Sequence, residues 1–570
     1  MAYDFEQKRR KEMAVAGSSS ILLLLLVVGT VATTMYQADD NVGADTGTMR
    51  TTTRSVKLMC ATTDYKETCE TSLTGIVNTT GISSPKDVLR AAVVAVIDEI
   101  SKSFSQSRLF KTNDSRVQDA IDDCREMYQD SEEDLKKTLS KIIDTSLESL
   151  PEQTLSLKSW LSAVFFYQET CVDGFPDGEL KDKMRSAMKT SKELTSNALA
   201  MMGQVSDLLM MFTVPESGRR LLSVDESPVM KRGCPSWVSQ GDRRLLREHL
   251  NVKLLPNVTV AQDGSGDFRT INEAIHKIPP KYDGRYVIYV KEGIYDEAVN
   301  LTSKYVNITM YGDGPKKTIV TGNKNFVDGT KTSHTATFVA SGEGFMAVDM
   351  GFRNTAGPRK HQAVALRVQS DRSIFINCRM EGYQDTLYAQ SHRQFYRGCV
   401  ITGTIDFVFG DASAVFQNCL FLLRRPLDNQ KNIVTAHGRA YIHESTGFVI
   451  QHCKIKADRS LHKVEDKVES YLGRPWKEYS RTIFMENQIS SFIHPAGYLP
   501  WDRDFALKTL YYAEYNNRGE GSNVKDRVKW PGFHVIDRGT AKNFTVANFL
   551  EGERWIPDRG ATALMDLYYR

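Results

Sequence analysis

The chain has 570 residues, 73 Lys and Arg against 70 Asp and Glu, a net charge of +3 and 41% hydrophobic residues. That length exceeds one ordinary domain, and the composition is that of a globular protein, which excludes disordered, collagen-like and coiled-coil classes. The small charge excess, with no Lys/Arg cluster that resembles a nucleic-acid patch, argues against a nucleic-acid partner, although residues 51–212 are net acidic and residues 251–570 net basic.

The basic stretch Lys8 to Lys11 precedes the apolar run Ile21 to Val28, the order of a secretory signal or an uncleaved signal anchor. Residues 1–52 are therefore expected to place the rest outside the cytosol. Acceptor triplets for N-linked glycans at Asn78, Asn113, Asn257, Asn300, Asn307 and Asn543 agree with export collectively.

Over residues 53–212 apolar side chains recur at three- and four-residue spacing, through Val88 to Ile100, Val117 to Met127, Leu135 to Leu147 and Leu155 to Tyr167. This predicts an α-helical bundle. Its four cysteines, Cys60, Cys69, Cys124 and Cys171, are even in number in an exported chain and read as two disulfides. Residues 213–255 have linker composition and contain Arg219-Arg220-Leu221-Leu222 and Arg243-Arg244-Leu245-Leu246, sites expected to invite a processing protease. Cys234 lies there without an assigned role, and nine cysteines leave at least one without an intrachain partner.

Residues 256–570 are β-prone: Tyr286 to Val290, Asn307 to Tyr311, Thr335 to Val339, Ala363 to Val368, Ser373 to Asn377, Gln394 to Val400, Ala414 to Leu422 and Gly447 to Ile455 carry no helical period. Cys378, Cys399 and Cys419 fall about 20 positions apart, two of them in the similar phrases Ile376-Asn377-Cys378 and Gln417-Asn418-Cys419. A period of that length predicts stacked coils; only the C-terminal part breaks it.

Groups one period apart would lie one strand spacing apart, roughly 4.8 Å. Asp385 and Asp406 are such a pair, with Gln362 extending the polar row one coil earlier. The same spacing falls in the disulfide range of roughly 4.4 to 6.8 Å between Cα atoms, so a bridge between Cys399 and Cys419 is expected.

The stretches Gly293-Ile294-Tyr295-Asp296-Glu297, Gln362-Ala363-Val364-Ala365-Leu366, Gly382-Tyr383-Gln384-Asp385-Thr386-Leu387, Gly403-Thr404-Ile405-Asp406-Phe407-Val408-Phe409-Gly410 and Leu472-Gly473-Arg474-Pro475-Trp476 stand in order. Through them the second half resembles the plant pectin methylesterases. Through its cysteine pairs and helical pattern the first half resembles the plant invertase and pectin methylesterase inhibitor domain. The resemblance implies a multidomain chain, an all-α four-helix bundle followed by an all-β right-handed parallel β-helix. It implies hydrolysis of methyl esters on polygalacturonate, with Asp406 as nucleophile, Asp385 as acid and base, Gln384 and Gln362 as oxyanion donors, and Thr332, Gln362, Arg474 and Trp476 contacting substrate. Asp411 departs from it, since the family usually has Asn there.

Such a reaction needs Asp385 protonated and Asp406 ionised. A second carboxylate raises the first, and the Arg474 guanidinium is expected to hold the second. No metal or cofactor is called for, because the eleven histidines show no ligand spacing and phosphate-cradling loops are absent. The competing readings are a β-helical pectin lyase or glycosidase, and a non-catalytic wall protein or inhibitor. The acidic helical half, joined to a basic half by a cleavable linker, is expected to dock on it as a pro-region. Salt and protonation of the helical half's carboxylates are expected to weaken that docking.

Overall fold

The computed structural model describes residues 56–80, 84–110, 112–206 and 255–568. The apolar run Ile21 to Val28, the linker with its Arg pairs, and Cys234 lie outside them. Among the described residues no helix is long and apolar enough to cross a membrane.

The first half is helical: α1 (Lys66–Thr80), α2 (Pro85–Ser105), α3 (Ser115–Asp144), α4 (Thr154–Asp173), α5 (Glu179–Ala187) and α6 (Lys189–Gly203). Ser84 caps α2 through a capping box with Asp87, and Pro85 fits the first turn, where its missing N–H costs nothing. Two disulfides form as the even count predicts, Cys60–Cys69 and Cys124–Cys171, the second tying α3 to α4. The segments Val117 to Met127 and Leu135 to Leu147, read separately in the sequence, are almost entirely one helix of 30 residues, α3.

The second half is a parallel β-helix of three sheets with eleven, seven and eight strands. Its seven-stranded sheet runs in chain order as β1 (Val299–Leu301), β2 (Phe338–Ala340), β3 (Leu366–Val368), β4 (Leu387–Ala389), β5 (Val408–Gly410), β6 (Asn432–His437) and β7 (Ser470–Pro475). Inward-pointing residues such as Leu366, Val368, Leu387, Ala389 and Leu472 fill the lumen. Phe375, Tyr396 and Phe416 stack through it, with ring centroids 4.8 and 4.6 Å apart. A short helix, α7 (Ile271–His276), capped by Thr270 and Glu273, puts Ile271, Ala274 and Ile275 into the same core at the N-terminal end.

Each long β-run from Gln394 onward that the sequence suggested is two strands separated by a corner. Ser413–Gln417 and Leu420–Leu423 flank Asn418, as Arg393–Arg397 and Val400–Gly403 flank Gly398. The corners Asn377, Gly398, Asn418, His452, Glu486 and Asn516 all have positive φ, between 47° and 63°. They follow paired strand residues, so they stack as a ladder of left-handed turns.

The expected bridge between Cys399 and Cys419 is not formed. Cys378, Cys399, Cys419 and Cys453 are all buried free thiols, each just past one of these corners. Val400 pairs with Leu420, so the cysteines before them are in register. In-register parallel neighbours hold their side chains side by side at the strand spacing of about 4.8 Å. A disulfide asks for Cβ atoms roughly 3.5–4.5 Å apart and a crossed geometry. The sulfurs instead lie among core residues and donate to backbone carbonyls such as Phe375 O and Tyr396 O.

Candidate active site

Asp385 and Asp406 each stand two residues before a strand of the seven-stranded sheet, β4 and β5 respectively. Leu387 pairs with Val408, which sets Asp385 and Asp406 side by side one coil apart. Both adopt left-handed backbone, with φ of 61° and 49°. Aspartate tolerates that region better than most side chains, and such strain collects at functional sites. Gln362 and Gln384 pair across the preceding coil step. Among the described residues neither glutamine amide donates to a protein acceptor, which leaves both free for a ligand.

Arg474 projects from β7. Its Nε donates to Asp406 Oδ1 at 2.8 Å and its Nη2 to Oδ2 at 2.5 Å. Its guanidinium lies 4.3 Å from the ring centroid of Trp501, a cleft aromatic that the sequence reading passed over because it belongs to no quoted block. Burial pushes the Asp385 carboxyl well above the usual range, the Asp406 charge adds to this, and Arg474 opposes it. Burial also leaves the Asp406 carboxyl raised, with the ion pair and hydrogen bonds to Arg474 opposing the rise. Both carboxyls are thus raised by burial, and they differ in that Asp406 alone is hydrogen-bonded to the guanidinium while Asp385 also feels the Asp406 charge.

Trp476 packs edge-on against Phe409, with centroids 6.1 Å apart. A Cβ on Gly438 would meet its ring at 2.8 Å, so glycine is required beneath it. Thr332 opens a 3₁₀ turn leading into β2, where its carbonyl accepts the Thr335 hydroxyl at 2.6 Å. The strand it leads into lies two strands away from β4. Asp411, the departure noted above, is buried and accepts from the Thr446 hydroxyl at 2.6 Å.

Helices α3 and α4 cover this cleft. Outward-pointing Val364, Tyr388, Phe409 and Ala436 belong to the same apolar cluster as the helical bundle's interior. Phe166 packs against Trp476, with centroids 6.2 Å apart. Around this contact, acidic side chains of the helical half meet cations of the β-helix: Asp123 with Lys331, Glu126 with Arg367, Asp134 with His392, and Asp173 with Lys477. Trp160 Nε1 donates to Asp371, itself paired with Arg393. Under this cover Asp385 and Asp406 are only 8% and 5% exposed.

The pectinesterase family matches residues 257–553, and the plant invertase/pectin methylesterase inhibitor family matches residues 54–201. Relatives from Arabidopsis thaliana include a probable pectinesterase/pectinesterase inhibitor 13, 50% identical over 90% of this chain and 82% of its own, and a putative pectinesterase/pectinesterase inhibitor 45, 48% identical over 90% and 84%. A solved pectin methylesterase from carrot is 48% identical with a TM-score of 0.55, covering 55% of this chain and 99% of its own. The carrot chain thus corresponds to the β-helical half alone. A family match over more than half of the chain and relatives up to 50% identical over nine-tenths of it agree with this fold: the chain belongs to the pectinesterase family.

Proposed function

We propose that this carboxylic ester hydrolase removes methyl groups from methylesterified polygalacturonate, releasing methanol, in a cell wall reached by secretion. The observation that carries the reading is the unequal carboxyl pair: Asp406 held by hydrogen bonds from Nε and Nη2 of Arg474, and Asp385 buried one coil away and, among the described residues, without such a bond. In this reading Asp406 is the charged member and Asp385 the protonated one. Asp406 attacks the ester carbonyl carbon, and the negative charge that develops on the carbonyl oxygen is met by N–H donors from Gln362 and Gln384. As the tetrahedral intermediate collapses, Asp385 gives its proton to the departing methoxide, leaving an acyl-enzyme anhydride on Asp406. Asp385, now a carboxylate, takes a proton from water, which attacks the acyl carbon and frees Asp406. Arg474 fixes the nucleophile's orientation, and Trp476 offers an apolar face to a sugar ring.

In this reading the helical half is a pro-region. It occupies the approach to Trp476 and leaves the aspartates nearly solvent-free, so cleavage after Arg220 or Arg244 would permit its departure. A lyase or glycosidase would shorten the polymer, whereas an esterase releases methanol from chains of unchanged length. The test is the Asp406→Asn variant beside the wild type on methylated pectin, each cut in the linker and separated from its helical half. Methanol from the wild type alone, with both proteins equally folded by circular dichroism, is the expected result. Equal methanol from both would overturn the assignment of the nucleophile.

A further inference from the structure

One row of side chains on the outer face of the seven-stranded sheet joins the active site to a second polar patch. Strand register aligns Arg367, Tyr388, Phe409, Ala436 and Arg474 on successive strands. Arg367 is 3% exposed, and its Nε donates to Gln390 Oε1 at 2.5 Å. Gln390 is 1% exposed, and its Nε2 has no partner at all. Gln369 and His392 stand beside them.

From the helical half, Arg367, Gln369 and His392 each take a carboxylate of α3. Arg367 Nη2 meets Glu126 at 3.2 Å, Gln369 Nε2 meets Asp130 at 3.1 Å and His392 Nε2 meets Asp134 at 2.9 Å. Positions 126, 130 and 134 lie on one helix face and advance about 6 Å per step. Helix α3 therefore presents a regular file of carboxylates to a file of donors. A polygalacturonate chain freed of methyl groups is also a regular file of carboxylates.

We propose that Arg367, with Gln369, Gln390 and His392, forms a subsite for the free carboxylates of galacturonate rings adjoining the ring under attack, and that α3 occupies it as a stand-in for the polymer. The inference rests on the pectinesterase reading and extends it to substrate choice. The patch lies on the same sheet face as Asp385: one strand spacing across and three residues along, about 11 Å at the backbone. A bound polymer touching Trp476 and lying along Tyr388 and Phe409 reaches it. A guanidinium beside the unpartnered Gln390 amide suits a carboxylate better than a methyl ester. Enzyme whose helical half has left would then act faster next to rings that already carry free carboxylates.

The experiment uses the full chain with a specific protease site placed in the linker, cut and separated from its helical half. Methanol release is measured on nearly fully methylated pectin and on pectin of intermediate methylation, with an unmethylated galacturonate hexamer as competitor. For Arg367→Gln the KM on partly demethylated pectin should rise on the order of tenfold, the scale of a charge-assisted hydrogen bond. Its kcat and its behaviour on fully methylated pectin should change less than about twofold. Hexamer inhibition should weaken in parallel, and Arg367→Lys should recover part of both. An unchanged KM, or an equal rise on both substrates, overturns the subsite while leaving the esterase reading intact. Absence of methanol from the wild type overturns both. A matching unfolding midpoint for the variant separates lost binding from lost structure.

Discussion

Asp130 makes docking of the helical half sensitive to pH, with a definite sign. In the docked chain it lies between Glu126 and Asp134 on α3 and faces Gln369 and Arg367; burial, then the Glu126 charge, pushes its carboxyl up to about 7. Exposed after release, it would return to the ordinary carboxylate value near 4. Docking therefore takes up a proton between about pH 4 and pH 7, and it weakens across that window as pH rises. A shift of about three units corresponds to a ratio on the order of 10³ at most in the docking equilibrium between the two ends of the window. His392 acts in the same direction: its protonated form is favoured by Asp134 against burial, and that contribution is lost as pH rises through its raised docked value. Glu126 acts oppositely, held down to about 2 by the His334 hydrogen bond and Arg367, so its contribution is lost only in strong acid. The simple expectation that protonating the helical half's carboxylates loosens docking thus holds for Glu126 and is reversed for Asp130. The assay is size-exclusion chromatography of the linker-cut chain from pH 4 to 8. Separation of the halves should grow with pH in the wild type and should depend far less on pH in Asp130→Asn, whose amide stays neutral. A variant that separates with the wild-type pH profile would refute the reasoning.

Asp385→Asn should lose most methanol release, because the amide neither protonates methoxide nor activates water; full activity would remove the acid and base role. In the wild type, activity should fall at low pH as Asp406 protonates and at high pH as the raised Asp385 loses its proton, with both limbs belonging to the coupled pair. Gln384→Ala should lower kcat roughly 10²-fold with a smaller change in KM, and an unchanged rate would sink the oxyanion role. Peptide mapping without reduction should recover Cys60 bridged to Cys69 and Cys124 to Cys171, with Cys378, Cys399, Cys419 and Cys453 as alkylatable thiols after unfolding; a bridge between Cys399 and Cys419 would restore the expectation drawn from their spacing.

The coil period was legible because the corner residue and the cysteine after it recur once per turn, and the aspartate pair followed from that period. The exact strand ends were not, since a left-handed Asn or Gly between two apolar runs looks the same as a mid-strand polar residue. Helix α3 seemed interrupted because Tyr128 to Asp134 is almost wholly polar. Within it Asp130 and Asp134 point at the β-helix, and only the docked arrangement accounts for them. Arg367 was overlooked for a related reason. The alternation of Leu366 and Val368 inward with Arg367 outward is visible in the sequence, but its partner lies 241 positions away. The cysteine spacing gave the correct register and the wrong bond, because distance along a coil stack says nothing about the direction of the side chains.

The short helix α7 at the head of the coil bears on colloidal behaviour. A stack of parallel coils ends in open strand edges and an apolar lumen, the features that let β-structures polymerise end to end. Here Ile271, Ala274 and Ile275 plug the lumen, and the terminal strands are reduced to three or four residues at Val258–Val260, Gly293–Asp296 and Val299–Leu301. Both Arg pairs lie upstream of Val258, so a cut at either leaves this plug on the released enzyme. Processing can therefore uncover the cleft on the flank without creating a sticky end, and the freed enzyme should diffuse through a crowded polymer matrix as single molecules rather than as fibres.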